Sequence, residues 1–277
     1  MITIWSNLMG LVPFEWFHYG FMQNALLAVL LVTPILALLG CLVVNNQMAF
    51  LSEAMGHSTL TGLAIGVLLG LREPMAAVIG FAVILGILMF LMRRYSAAPP
   101  DTAIALVMAF VVSLGIVLLS RGGGFTRFSR YLIGDILTIS SIELLYLAGL
   151  LTLVLMVWLF FFNSLFFVHL NRTLAASRRF PVRRAELFFT ILVAVVVAVS
   201  MPWVGLLVIN SMLILPAATA RNLARNTRQY VLLALAIGIL SGILGLVSSF
   251  YWDTATGATI VLWACGFFAV SAVFRRQ

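Results

Sequence analysis

Two ionisable side chains four residues apart interrupt an apolar stretch: Glu53 and His57, in QMAFLSEAMGHSTLTGLAIG. On a helix this spacing projects both from one face. A carboxylate oxygen and a neutral imidazole nitrogen on adjacent turns are what a divalent transition metal accepts, with zinc and manganese both suited. Two ligands make a partial, weak site, fit for passing an ion on rather than keeping it. The same residues also fit a His–Glu hydrogen bond holding helices together, or a protonated Glu satisfied by a neighbouring helix. Metal or proton transit and interhelical packing therefore both stay open on these two residues alone, although ionisable groups within membrane spans are functional by default.

The elements around the pair must be membrane helices. Of 277 residues, 64% are hydrophobic and 9% charged, and the mean hydropathy is +1.18, whereas soluble domains run at roughly 45–50% apolar and about 25% charged. The chain reads as an all-α, polytopic integral membrane protein, which excludes a soluble enzyme, a nucleic-acid-binding domain and a disordered tail as readings of the whole. Apolar stretches of spanning length run over approximately 20–44, 52–71, 74–92, 102–120, 142–163, 184–201, 203–220, 229–251 and 258–274. That is nine spans; eight remains open, because 52–71 carries Glu53 and His57, and only Met201 and Pro202 separate 203–220 from its predecessor. The start, Met1 to Gly20, has no basic region and carries Glu15, His18 and two Trp. It reads as an interfacial amphipathic helix over residues 1–19 rather than a cleavable signal, with the transmembrane domain over 20–277.

All 16 basic residues are Arg, and the net charge is +8. With nine spans and the N-terminus outside, the inner segments carry Arg93, Arg94, Arg172, Arg178, Arg179, Arg183, Arg184, Arg221, Arg225, Arg228, Arg275 and Arg276. The outer ones carry only Arg72, Arg121, Arg127 and Arg130. The positive-inside rule thus favours N-out and C-in. If the second span enters from the cytoplasm near Gln47, Glu53 lies roughly 9 Å deep and His57 roughly 15 Å deep, near the midplane. Residues 121–141 are too polar for a span and read as an interfacial or re-entrant piece. The longest basic loop, VHLNRTLAASRRFPVRR, spans Val168 to Arg184; Asn171 could cap a short helix through Ala176, with Arg178 and Arg179 at its end. A plain positive-inside loop fits it as well.

The remaining candidates carry less. His18 and His169 fall outside the spans, and Asp135, Glu143 and Asp253 flank outer helix ends, where they could attract cations or simply be solvated. Cys41 and Cys265 lie in apolar runs and read as small core residues. There is no GxxxxGK[ST] motif and no Lys to serve one, so the chain is not expected to be an enzyme; any ATP hydrolysis must come from another subunit. HExxH is likewise absent, which disfavours a membrane metalloenzyme. An ATP-independent secondary transporter or channel for divalent cations remains an alternative.

Three stretches resemble the permease subunits of zinc/manganese/iron ATP-binding-cassette importers, the metal-ion permease family. They are Ala25 to Gly66, ending in the Glu53–His57 segment; Val204 to Asn226, whose LILPAATA is the most specific match; and SFYWDTATGATIVL, Ser249 to Leu262. The chain departs from the family with Glu53 where Asp is usual, Gly56 where Ser precedes the His, Thr61 and Ala255 where Pro is usual, and Asn171 where Asp is common. The resemblance implies an importer permease fold and a role in moving a divalent ion, zinc or manganese before ferrous iron, with Glu53 and His57 as metal ligands and no permanently bound cofactor. It also implies a bacterial inner-membrane assembly with a second permease subunit (homodimer or heterodimer), two cytoplasmic ATPase subunits and an extracytoplasmic metal-binding protein. The 168–182 segment, with Asn171, Leu174, Ala175 and Arg178, would be the cytoplasmic coupling segment to the ATPases.

Overall fold

A computed structural model describes residues 15–71, 74–95, 99–121, 134–170 and 182–274. Among these residues there is no strand. Nine long helices follow one another: α1 (Gly20–Asn45), α2 (Ala49–Leu68), α3 (Pro74–Tyr95), α4 (Pro100–Arg121), α5 (Ser141–Leu170), α6 (Val182–Val204), α7 (Leu206–Leu223), α8 (Thr227–Trp252) and α9 (Thr256–Val273). Each falls on one of the nine apolar stretches in the sequence, including the two doubtful ones. Seven are long and apolar enough to cross a membrane. The other two are α4, whose apolar run Thr102–Leu118 is short, and α2, whose hydropathy is lowered by Glu53, His57 and a series of hydroxyls.

Local chemistry sets the helix ends. Between α6 and α7 the break is a single residue, Gly205, at φ 84°, a conformation disfavoured for residues with a Cβ. That is why Met201 and Pro202 look like too short a connection in sequence: the turn is made one step later, by a glycine. Ser140 and Glu143 cap α5 reciprocally, the Ser140 amide donating to Glu143 Oε2 at 2.7 Å and the Glu143 amide to Ser140 Oγ at 3.4 Å. Asn226 caps α8 by accepting from the Gln229 amide at 2.8 Å. Gln47 takes a left-handed φ of 53°. With Met48 N–H donating to the Val43 carbonyl at 3.0 Å, it closes α1 in a Schellman turn that feeds directly into α2.

The interfacial segment before residue 15, most of 121–141, and Asn171, Leu174, Ala175 and Arg178 of the basic loop lie outside the described residues. What is described of 134–139 is Gly134 followed by a 3-10 turn, Ile136–Thr138, capped by Asp135.

The chain forms two compact units. One contains residues 1–41, 134–156 and 203–277. Small residues let its backbones meet: Gly242 sits against Val29 and Thr33 of α1, Gly40 against the Leu213 backbone of α7, and Gly245 against the Ile260 backbone of α9. Hydroxyls and amides close the remaining gaps. Thr259 Oγ1 donates to the Gly245 carbonyl at 2.9 Å, Trp263 Nε1 to Ser248 Oγ at 2.9 Å, Asn222 Nδ2 to Ser271 Oγ at 3.0 Å, and the Tyr230 hydroxyl to the Cys41 carbonyl at 3.2 Å. The other unit contains residues 42–133 and 157–202. In it α2 packs against both α3 and α4, and Gly86 of α3 meets Ile191 and Ala194 of α6.

A Cβ at Gly245 would collide with backbone that cannot rotate away, so Gly245→Ala is expected to cost about 1–3 kcal/mol of stability. Gly149, with open space around its Cα, is the matched control. Thermal unfolding of the detergent-purified protein should show a clear loss for Gly245→Ala and little or none for Gly149→Ala.

Candidate functional site

The central part of helix α2 is almost completely enclosed. From Leu51 to Ala64 every side chain is buried except two, Glu53 and His57, which are half-buried. Because the two share a face, the half-buried positions form one strip along the helix, the slot, rather than two separate places.

The enclosure follows from the residue types. Gly62 brings α2 against α3, where an added Cβ would stand 3.0 Å from Val78 Cα and 3.1 Å from Phe81 Cβ. On the side of α4, Thr61 Oγ1 donates to the Val111 carbonyl at 2.8 Å, and Gly115 leaves room for the Thr61 side chain. The other hydroxyls satisfy themselves on their own helix: Ser52 on the Ala49 carbonyl at 3.0 Å, Ser58 on Met55 at 2.7 Å and Thr59 on Met55 at 3.1 Å. Such back-bonding is how Ser and Thr are accommodated without water.

Glu53 and His57 have no such arrangement. Among the described residues neither side chain has a hydrogen-bond or ion-pair partner. Nor do three His, Cys, Asp or Glu side chains come together anywhere among them to hold a metal ion. Within the described chain the pair thus offers two groups of metal-binding chemistry, a carboxylate and an imidazole. A closed structural metal site needs four ligands and a catalytic zinc site typically three from protein.

The profile of the ABC 3 transport family matches residues 18–275. This chain belongs to the ABC 3 transport family. Within that family it is similar to the high-affinity zinc uptake system membrane protein ZnuB of Haemophilus influenzae, at 33% identity over 258 residues, 91% of this chain and 97% of that one. It is also similar to the manganese import system permease protein ScaB of Streptococcus gordonii, at 30% identity over 253 residues, 91% of each chain. Among solved structures it resembles PsaBC from Streptococcus pneumoniae in complex with Fab, with a TM-score of 0.80 and 28% identity over 98% of this chain and 95% of that one.

Of the acids singled out at helix ends in this ABC 3 chain, Asp135 and Glu143 have local partners for their carboxylates, and Asp253 shapes a helix end. Asp135 Oδ1 accepts from the Leu137 amide at 3.0 Å, Glu143 belongs to the α5 capping box, and Asp253 ends α8 in a left-handed conformation. His18 is exposed at the end of the 3-10 turn Glu15–His18, ahead of α1. His169 falls in the last turn of α5, which runs further than the expected span over 142–163. Two residues acquire roles that spacing did not indicate. Thr61 joins two helices beside the slot, and Tyr230 ties α8 to the α1 backbone. A hydroxyl in an apolar helix is the only sequence signal for either.

Since His57 has no partner to lose among the described residues, His57→Ala should leave the melting temperature of the purified protein within the equivalent of about 0.5 kcal/mol. A loss of ~0.6–2 kcal/mol, the worth of an interhelical hydrogen bond, would instead mark it as packing glue.

Proposed function

We propose that this chain is the membrane-spanning permease subunit of an ATP-driven importer that moves divalent transition-metal ions, zinc or manganese, into the cytoplasm, with Glu53 and His57 as ligands on the path. The observation that carries the reading is the slot on α2: between Leu51 and Ala64 the two side chains left partly open are Glu53 and His57, a carboxylate and an imidazole that can ligate a metal. The relatives named for zinc uptake and manganese import support the cargo. Family membership removes the main attraction of the ATP-independent alternative.

The pair suits transport rather than storage. Passage requires that binding be favourable enough to admit the ion and weak enough to release it. The Glu53 carboxylate offsets part of the dication's charge where the effective dielectric constant is low and Coulomb energies are large. The His57 imidazole adds a neutral donor that needs no charge of its own. Energy comes from elsewhere: the sequence has no phosphate-binding loop and no Lys. Two cytoplasmic ATPase subunits would drive the permease between inward- and outward-open states by binding one state better than the other. A second permease subunit and an extracytoplasmic metal-binding protein complete the proposed assembly. The lipid environment is the bacterial inner membrane, with the N-terminus outside and the C-terminus in the cytoplasm, and residues 20–277 act as one permease domain.

In proteoliposomes holding the full complex, His57→Ala should abolish metal uptake per assembled complex while ATP hydrolysis persists. Glu53→Gln should be nearly as severe, because it keeps the shape and removes the charge; Glu53→Asp should be milder. Normal uptake by His57→Ala would overturn the ligand assignment.

The coupling segment is assigned to 168–182. Replacing Leu174 and Ala175 with Asp should release the ATPases while the membrane part stays folded, read by co-purification. Undiminished co-purification would place the dock elsewhere.

A further inference from the structure

We propose that Thr61 is a positioning residue for the metal pair: its bond to α4 fixes the rotation of α2 about its own axis, and so where Glu53 and His57 point and which ion they prefer. The inference rests on Glu53 and His57 being the ligands.

Thr61 lies one turn beyond His57 and two beyond Glu53, on the same side of the helix. Its hydroxyl donates to the Val111 carbonyl, 50 residues away in sequence, at 2.8 Å and fully buried. Ser52, Ser58 and Thr59 bond only back onto α2, so they cannot resist its rotation. Gly115 of α4 lies so close to Thr61 that a Cβ there would collide with the hydroxyl. The next residue, Gly62, is pressed against Val78 and Phe81 of α3. Successive positions on a helix point about 100° apart. Thr61 and Gly62 therefore hold α2 against two different neighbours at one level, just below the slot.

The leverage is large compared with what a metal tolerates. A rotation of roughly 10° carries an atom roughly 6 Å from the helix axis about 1 Å sideways, against a tolerance of about 0.2 Å for a metal–ligand distance. Zinc and manganese answer differently to such a shift: zinc takes four-coordinate tetrahedral sites with nitrogen among its ligands, and manganese favours six oxygens in an octahedron. Losing the Thr61 hydroxyl should thus alter the ratio of the two affinities rather than only lower both.

The test titrates zinc alone and manganese alone onto the assembled permease–ATPase complex, for the parent protein and for Thr61→Val, Thr61→Ser and His57→Ala, with uptake measured alongside. Thr61→Val keeps the volume and removes the donor; it should change the zinc-to-manganese ratio of Kd values by about tenfold, in keeping with the sensitivity of ligand sets to displacements of 1 Å. Thr61→Ser keeps the hydroxyl and should restore the parental ratio, an outcome that a purely packing role for the side chain would not produce. If Thr61→Val fails to assemble, Thr61→Ala, which removes the donor without crowding Gly115, carries the same expectation. An unchanged ratio in the hydroxyl-free variant, with His57→Ala unable to bind or transport, would overturn the role of Thr61 and leave the ligands standing. Normal binding and uptake by His57→Ala would overturn both.

Discussion

The hydrocarbon interior offers no water, so every polar group within it must find a partner in the protein or lie along a path where something else supplies one. Most of this molecule is an answer to the first half of that condition. The backbone closes its hydrogen bonds in helices. Ser52, Ser58, Thr59, Ser241 and Ser249 turn their hydroxyls back onto carbonyls three or four residues earlier. Where helices approach each other, association cannot draw on the hydrophobic effect and depends on close packing. Gly40, Gly62, Gly115, Gly242 and Gly245 supply it by letting one element reach another's backbone or side-chain base.

Against that background a carboxylate and an imidazole that have no partner among the described residues are conspicuous. They sit in the N-terminal half of a helix whose other side chains from Leu51 to Ala64 are buried, and they occupy one face of it. In a soluble protein half-buried Glu and His would need no comment, since water would solvate them. Under the proposed function they answer the second half of the condition. A divalent ion is the partner that a carboxylate and an imidazole jointly fit, and an incomplete ligand set fits an ion that must leave again.

The helices were legible because hydropathy is a property of each segment by itself. A run of about twenty apolar residues is sufficient for a span whatever its neighbours do, so all nine elements lie near their expected places, within a few residues at most ends. The extension of α5 to Leu170 exceeds the apolar stretch because a helix can outrun the hydrocarbon. The shared face of Glu53 and His57 was legible for the same reason: both residues belong to one helix, and i to i+4 geometry is local. What lay beyond reading was tertiary. Nothing in the sequence around Thr61 points to Val111, and nothing around Tyr230 points to Cys41, because both bonds are made between helices far apart in the chain. The acids at the helix ends were ambiguous in sequence, since solvation, cation attraction and capping all draw on the same carboxylate. For Glu143 it was the position of Ser140 three residues earlier that settled the matter.

The contact between Thr61 and Gly115 also bears on how this protein can be altered or inherited. The two positions share one volume across 53 intervening residues, so a side chain at 115 must be answered by a smaller one at 61, and 61 cannot grow because Gly115 is already the smallest residue. A chimera that moves only the Glu53-to-Thr61 stretch into a relative would bring a hydroxyl without the hollow that receives it. The unit of exchange is therefore discontinuous: the Glu53-to-Thr61 stretch of α2 and the glycine of α4 travel together, and a graft that respects helix boundaries alone would separate them.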